Sequence, residues 1–213
     1  MMKTKLLSAS FLIAACAMSA WAGGMESLES FAKNVKSGRA DFTQVVTSPA
    51  RDGQSARSKT SSGTFEFLRP NRFKFIYRKP FEQTIVADGQ TLWLYDVDLN
   101  QVTARKQATA LGATPAALIA SAADVRALEA EFLLADLPVK DEMQWVQATP
   151  KSKDGQLQSV RLGFRQDQLA VLEILDSFGQ RSVLTFKTFQ ANAPLDASSF
   201  HFKPPAGADV VRQ

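Results

Sequence analysis

Aromatic residues alternate with other residues along two neighbouring segments, and this pattern constrains the fold more than any other feature. Phe65 and Phe67 are separated by one polar residue, and Phe73, Phe75 and Tyr77 repeat the spacing a few residues later. Successive side chains of a β-strand point to opposite faces, so a period of two puts the rings on one face of each strand. The chain is therefore predicted to form a sheet with one aromatic face that needs a cover.

Turn signals connect the remaining candidate strands. Asp88-Gly89 lies between the apolar runs 84–87 and 91–95, and this dipeptide accepts the positive φ angles of a tight hairpin turn. Later strands are predicted at 144–149, 158–164, 169–175 and 182–189, separated by turns around Asp154-Gly155 and Phe178-Gly179. Short turns without crossover helices predict an antiparallel meander rather than an α/β sheet.

The segment before the aromatic strands combines a strand with a polar stretch. Ala40, Phe42, Gln44 and Val46 fall on one side of an alternating pattern, which predicts a strand. Residues 48–63 are rich in Ser, Gly and Arg, which predicts a mobile loop.

Three short helices are the available cover. The first shows an apolar stripe at helical spacing over residues 25–35, and Thr114-Pro115 begins the second with a cap and a favourable first residue. A third is predicted after Asp124, with Val125, Leu128 and Phe132 on one face. So few helices predict an incompletely filled space over the sheet.

The N-terminus predicts export. The first five residues contain two lysines, residues 6–18 are apolar, and Ala20-Trp21-Ala22 precedes Gly23, which is typical of a cleaved signal peptide. We expect residues 1–22 to be this signal and residues 23–213 to form a single domain. Cleavage lowers the formal charge from +4 to +2, because two lysines and no acid are lost. That charge is too small to indicate binding to nucleic acid.

The only cysteine leaves a second interpretation of the N-terminus open. Ile13-Ala14-Ala15-Cys16 resembles the site at which bacterial lipoproteins are cut and acylated, which would anchor the protein to a membrane. The apolar run that continues after Cys16 favours the signal peptide instead, since a polar linker usually follows an acylated cysteine.

Catalytic and metal-binding patterns find little support. His201 is the only histidine, so a multi-histidine metal site is excluded and a catalytic triad has one possible base. No glycine-rich phosphate loop or zinc spacing occurs, and none of the carboxylates stands in a recognisable catalytic motif. We expect no metal and no cofactor, and a protein that is not an enzyme.

Three motifs resemble one known family. The order and spacing of Phe42-Thr43-Gln44, Arg69-Pro70-Asn71-Arg72-Phe73 and Asp88–Tyr95 resemble the outer-membrane lipoprotein carriers, LolA, as do residues 114–119 and Phe200–Pro205. The resemblance implies a mainly β fold with an α lid: an incomplete antiparallel β-barrel of roughly 10–11 strands, with about three short helices around a hydrophobic cavity. It also implies a monomeric periplasmic carrier without enzymatic activity.

The same resemblance implies partners and site residues. Lipoproteins would be taken from an inner-membrane ABC transporter and given to an outer-membrane receptor. Arg69 matches the arginine that holds the lid of this family closed by hydrogen bonds. The residues expected to contact acyl chains in the cavity or the lid are Phe65, Phe67, Phe73, Phe75, Tyr77, Trp93, Leu118 and Ile119.

Two other functions remain open from the sequence. A membrane-anchored lipoprotein acceptor of the same fold would begin at an acylated Cys16 instead of Gly23. A periplasmic sensor that binds lipid or peptide could use the same kind of cavity for detection, since a fold does not fix a function.

Overall fold

The computed structural model describes residues 23–50, 55–108, 119–120, 125–153 and 155–213. These residues form one sheet, two assigned α-helices and one 3-10 helix. The first helix is α1 (Gly24–Asn34), followed by β1 (Ser37–Ser48), β2 (Arg57–Leu68), β3 (Arg72–Lys79), β4 (Gln83–Ala87), β5 (Thr91–Asp96) and β6 (Gln101–Lys106). The second half contains α2 (Val125–Glu131), β7 (Phe132–Lys140), β8 (Met143–Pro150), β9 (Leu157–Arg165), β10 (Gln168–Asp176), β11 (Arg181–Ala191), the 3-10 helix Ala197–Phe200 and β12 (Asp209–Arg212).

The twelve strands form a single sheet in the order β12-β6-β5-β4-β3-β2-β1-β11-β10-β9-β8-β7. Neighbouring strands are antiparallel, except that β12 runs parallel to β6. The open antiparallel architecture predicted from the sequence is confirmed. Three strands, β6, β7 and β12, were not predicted, and β7 and β12 form the two edges of the sheet.

The antiparallel order divides the connections between two ends of the sheet. We call one the upper end; it contains the connections 49–56, 80–82, 97–100, 151–156 and 177–180. The other, the lower end, contains the turns 69–71, 88–90, 141–142 and 166–167. Each site described below lies at one of these two ends or on one face between them.

The predicted mobile loop at 48–63 is wrong at Ser48 and over residues 57–63, which belong to strands. β2 begins at Arg57, and its first residues pair with the end of β1 in continuous register from Ser48↔Arg57 to Gln44↔Ser61. This Ser- and Lys-rich segment forms a strand because β1 supplies its hydrogen-bonding partners. A local pattern of polar residues does not reveal such a partner.

The core lies between one face of the sheet, here called the inner face, and helix α1. The predicted apolar stripe of α1 is confirmed, because Leu28, Phe31, Ala32 and Val35 are all buried. Gly24 allows the helix to begin close to the sheet, since a Cβ atom there would lie 2.2 Å from the backbone oxygen of Trp145.

Helix α2 partly confirms the third predicted helix. It includes Val125 and the buried Leu128, but it ends at Glu131, and Phe132 begins strand β7 instead of continuing the helical face. Phe132 is nevertheless buried in the same core. The predicted second helix falls largely outside the described residues, where only Ile119 and Ala120 of that segment are included.

The C-terminal segment covers the outer face of β3 to β6. Lys74 Nζ donates a hydrogen bond of 3.0 Å to Ser199 O, and the Phe200 side chain below it is completely buried. The segment then reaches the upper end, where Asn100 Nδ2 donates to Gly207 O at 2.9 Å before β12 begins. Within the described ranges, we find no helix with the length and apolar character that a membrane span requires.

Candidate functional site

An aromatic surface occupies the inner face of β2 and β3. The register pairs Phe65 with Phe75 and Phe67 with Phe73, so that alternate residues of both strands point to the same side. The Phe65 and Phe75 rings stack with centroids 4.5 Å apart. Phe65, Phe67 and Phe73 are at most 1% exposed, and Tyr77 extends the row as a half-buried ring. The sequence prediction brought these five residues together correctly on one face.

This surface offers little hydrogen bonding. Phenylalanine rings contribute apolar area without a polar partner, and only the Tyr77 hydroxyl interrupts the row. Burial raises the pKa of Tyr77 to about 12, so its hydroxyl stays neutral at neutral pH. A surface of this kind suits flexible hydrocarbon chains, because it gains contact area from any chain position and imposes no fixed polar geometry.

Helix α1 and Ile119 close over the aromatic surface. The Phe31 ring lies 6.1 Å from Phe67, 5.7 Å from Phe164 and 6.0 Å from Phe189, measured between centroids. Ile119 is completely buried in the same cluster. In this conformation the side chains of Phe31 and Ile119 pack directly against the aromatic surface.

Arg69 connects both covering elements to the sheet. Its Nη1 lies within hydrogen-bond distance of the carbonyl oxygens of Phe31 (3.2 Å), Ala32 (2.8 Å) and Val35 (2.6 Å). Its Nε and Nη2 both donate to the carbonyl of Ile119, at 3.1 and 3.0 Å. One side chain at the lower end therefore binds the end of α1 and the predicted lid segment together.

The chemistry of Arg69 fits the groups that it binds. The last four carbonyls of a helix lack partners within the helix, and they carry the negative end of its dipole, so a cation is favourable there. Burial lowers the pKa of Arg69 to about 10, which leaves the guanidinium charged at neutral pH. The central guanidinium carbon of Arg69, Cζ, lies 5.1 Å from the Phe31 ring centroid and 5.5 Å from that of Phe67, within cation–π range.

A buried glutamine that the sequence analysis missed supports the turn behind Arg69. Gln107 is 2% exposed, and its side chain donates to Asn71 O at 2.6 Å while it accepts from Gly89 N at 2.8 Å. Asn71 N in turn donates to Ala120 O at 3.0 Å. Gln107 thus links the turns 69–71 and 88–90 of the lower end. In the sequence, only its position directly after β6 distinguishes it from the other glutamines.

Asp88 organises the predicted hairpin turn. Gly89 has a φ of 106°, as the dipeptide suggested, and Asp88 accepts hydrogen bonds from Gln90 N, Thr91 N and Trp93 Nε1. Burial acts to raise the pKa of Asp88, but these hydrogen bonds outweigh it and hold the pKa below the usual value. Asp88 therefore acts as a structural carboxylate in the turn.

Trp93 does not lie where the cavity prediction put it. Its ring packs against Phe202 of the C-terminal segment, with centroids 5.5 Å apart, on the outer face of the sheet. The reason is the alternation of β5, in which Leu92 points into the inner core and Trp93 to the opposite side. Of the other two lid predictions, Ile119 joins the core, and Leu118 lies outside the described residues.

Groups that could bind a metal ion or act as a catalytic base are sparse. Among the described residues, no cluster of three or more His, Cys, Asp or Glu side chains is placed to hold a metal. His201 is exposed beside the buried Phe200. The described part of the inner face presents mainly apolar side chains, and Arg69 binds the elements that cover it.

Comparison with known proteins identifies the family. The family model described as "Outer membrane lipoprotein carrier protein LolA" matches residues 33–203. A protein named outer-membrane lipoprotein carrier protein from Albidiferax ferrireducens is 70% identical over 209 residues, covering 96% of this chain and 98% of that protein. Proteins of the same name from Leptothrix cholodnii and Methylibium petroleiphilum are 56% and 55% identical, and they cover 91% and 95% of this chain and 88% and 97% of their own lengths. The chain belongs to the outer-membrane lipoprotein carrier family, LolA.

Proposed function

We propose that the protein carries lipoproteins through the periplasm with their acyl chains sheltered against the inner face of its sheet. It takes them from an inner-membrane ABC transporter, delivers them to an outer-membrane receptor and works as a monomer. Family membership supports carriage, and the family is one of carriers rather than enzymes. The observation that carries the mechanism is the set of hydrogen bonds from Arg69 to α1 and Ile119 above a surface of phenylalanine rings.

The energetics explain why such a carrier is needed. Each buried methylene group is worth about 0.8 kcal/mol, so several acyl chains moving from a bilayer into water would cost on the order of tens of kcal/mol. An apolar inner face offsets most of this cost. The rings now in contact with α1, including that of Phe67, provide the same kind of surface to the cargo once the cover moves.

Arg69 is proposed to act as the latch of this cover. Its bonds reach backbone carbonyls that can turn to water when the cover opens, so each bond contributes a modest net free energy and exchange is reversible. Cargo binding replaces the packing of α1 and Ile119 by acyl-chain contacts, which offsets the lost bonds. The closed and open states then differ by a free energy small enough for the cargo to be released again.

Export by a cleaved signal peptide is part of the proposal. Cleavage after Ala22 would leave Gly23 directly before α1, with no cysteine in the mature chain. Intact-mass measurement of the protein from a bacterial envelope tests this: the mass of 23–213 is expected, whereas a mass that includes diacylated Cys16 would establish the membrane-anchored alternative.

The first experiment tests carriage. Purified mature protein is incubated with spheroplasts that hold radiolabelled lipoprotein, and the soluble fraction is examined for a complex of the two. Labelled lipoprotein bound to the protein is the expected result. If no label is released although the protein is folded and the transporter is active, carriage is contradicted and a sensor or an anchored acceptor replaces it.

The latch is tested in the same assay with two neighbouring variants. Arg69→Leu removes the bonds to α1 and Ile119, so we expect cargo to be accepted but its transfer to the outer-membrane receptor to fail. Arg72→Leu is the matched control, because Arg72 has only a 3.5 Å contact to Pro70 O. Equal transfer by both variants would contradict the latch.

A further inference from the structure

Large apolar side chains are exposed mainly at the upper end of the sheet. Among the described residues, six such side chains are exposed, and four of them lie in upper-end connections: Phe81 (69%), Val97 (37%), Leu99 (71%) and Phe178 (64%). The other two, Leu133 and Val139, lie on the edge strand β7. Single exposed apolar residues are ordinary, but their concentration in the turns at one end marks an interaction surface.

These apolar tips are held in place by contacts between turns. Val97 N donates to Glu82 O at 3.2 Å, which joins the turn that carries Phe81 to the turn that carries Leu99. A Cβ atom on Gly179, next to Phe178, would lie 3.5 Å from the Pro49 side chain of the neighbouring connection. The tips therefore project from an ordered row of turns.

The spacing of the strands sets the size of this surface. The turns that carry Phe81 and Phe178 are separated by four strand intervals, or roughly 19 Å along the sheet at about 4.8 Å per strand. The turn that carries Leu99 lies two further intervals from Phe81. Such a width suits contact with an extended surface better than contact with a single small molecule.

Cations surround the apolar tips. Arg57 and Lys59 line a groove of about 360 Å³ with Val46 and Gln180, and the described residues that line it include no carboxylate. Lys79, at the end of β3, and Lys153, in the connection 151–156, are also exposed. This combination of apolar tips and basic side chains complements a membrane surface that contains anionic lipid, where apolar groups enter the headgroup region and cations remain at the surface.

The carboxylates at the same end are partly engaged in the turns. Asp96 accepts from Leu99 N at 3.1 Å, and Asp176 accepts from Phe178 N and Gln180 N at 2.9 and 2.8 Å. Asp98 and Glu82 are exposed near Leu99, so the more basic part of the surface is the side of Phe178, Arg57 and Lys59. We expect the contact with anionic lipid to centre there.

We propose that the upper end docks reversibly on anionic lipid bilayers, with Phe81 and Phe178 inserted into the headgroup region and Arg57 and Lys59 against the lipid phosphates. Insertion is shallow, because turn tips reach only about 5–10 Å into the interface. Exposure of the inner-face residues also increases towards this end, from the buried Phe65 and Phe67 to the exposed Lys59 on β2. Docking therefore brings the less covered end of the aromatic surface next to the membrane.

Lipid docking does not depend on the proposed carriage of lipoproteins, so the two can be tested separately. Cargo-free mature protein is mixed with vesicles of phosphatidylglycerol and phosphatidylethanolamine, or with vesicles of phosphatidylcholine alone, and bound protein is measured by flotation. We expect binding to the anionic vesicles, weakening as salt is added, and little binding to phosphatidylcholine.

Two variants locate the surface. Phe81→Ser with Phe178→Ser is expected to weaken binding by about tenfold or more, since two large apolar groups no longer enter the interface. The control is Val139→Ser, which removes an exposed apolar group from the lower end of β7, beside the turn 141–142, and is expected to leave binding unchanged. All three substituted side chains are exposed to solvent, and circular dichroism verifies that both proteins are folded.

Three results would overturn the proposal. The protein could fail to float with anionic vesicles, or both variants could bind them equally. The third is a Phe81 and Phe178 variant that binds vesicles like the original protein but no longer releases lipoprotein from spheroplasts, which would assign the upper end to a protein partner.

Discussion

The two ends of the sheet are both built from short turns between antiparallel strands, yet their side chains have opposite environments. At the lower end, the half-buried Arg69 and the buried Gln107 bind backbone groups of neighbouring segments. At the upper end, Phe81 and Phe178 project into solvent without a cover. The lower end therefore stabilises one conformation of the molecule. The exposed side chains at the upper end remain accessible to another molecule or to a membrane.

Among the substitutions that test this difference between the two ends, Arg69→Leu is expected to cause the largest loss of stability. Arg69→Leu leaves four backbone carbonyls without their charged donor, and hydrogen bonds to charged groups contribute about 1.5–3 kcal/mol each. Because water replaces some of them, we expect the free energy of unfolding to fall by about 3–5 kcal/mol, measured by urea denaturation. A similar loss in Arg72→Leu would show that the latch has no special stabilising role.

A smaller effect is expected at Gln107. Gln107→Leu keeps the volume similar but leaves Asn71 O and Gly89 N unpaired in a buried position, which costs about 1–3 kcal/mol. Thermal denaturation measures the loss. Gln90→Leu is the control, since Gln90 is exposed in the same turn, and its stability is expected to change by less than about 0.5 kcal/mol.

Protonation of Asp88 is expected to lower the stability of the protein gradually as the pH falls. The folded-state pKa of Asp88 is below its unfolded value, so its stabilising contribution is complete above about pH 4 and is lost as the pH falls through the folded pKa. Asp88→Asn removes this dependence. The stability difference between the two proteins should be present at neutral pH and shrink at about pH 3; a difference that is constant with pH would contradict the assignment.

The smallest effect on stability is expected at the upper end. Phe81→Ser and Leu99→Ser each replace a side chain that is about 70% exposed, so the free energy of unfolding should change by less than about 0.5 kcal/mol. A loss comparable to that in Gln107→Leu would show that the upper turns stabilise the fold, and the contrast between the ends would then disappear.

Periodicity predicted the inner face because its physical basis is local. The alternation of Phe65, Phe67, Phe73 and Phe75 follows from strand geometry alone, and the Asp88-Gly89 turn follows from backbone preference. Family resemblance, rather than periodicity, selected Arg69 from the many arginines of the chain. The structure then added what no local pattern contains, namely the carbonyls that Arg69 meets from segments 34 to 50 residues away.

The failures have a common physical cause. The strand at Arg57–Thr60 has little apolar sequence, and it forms because β1 presents a free ladder beside it. The pairing of β5 with β4 decides which residues of β5 face outward, and it places Trp93 on the outer face. The composition of β5 alone does not reveal this choice. Gln107 is buried by two turns that are distant in sequence. All three depend on tertiary partners.

A sheet that does not close leaves two edges, and edges invite pairing with other chains. The β12 edge is four residues long, and β7 contains Pro138, which has no N–H to donate, beside a break in register between Leu137 and Lys140. Leu133 and Val139 would otherwise make β7 an attractive template for aggregation. The interruption at Pro138 therefore makes this edge a poorer template for another strand than its exposed apolar residues alone would make it.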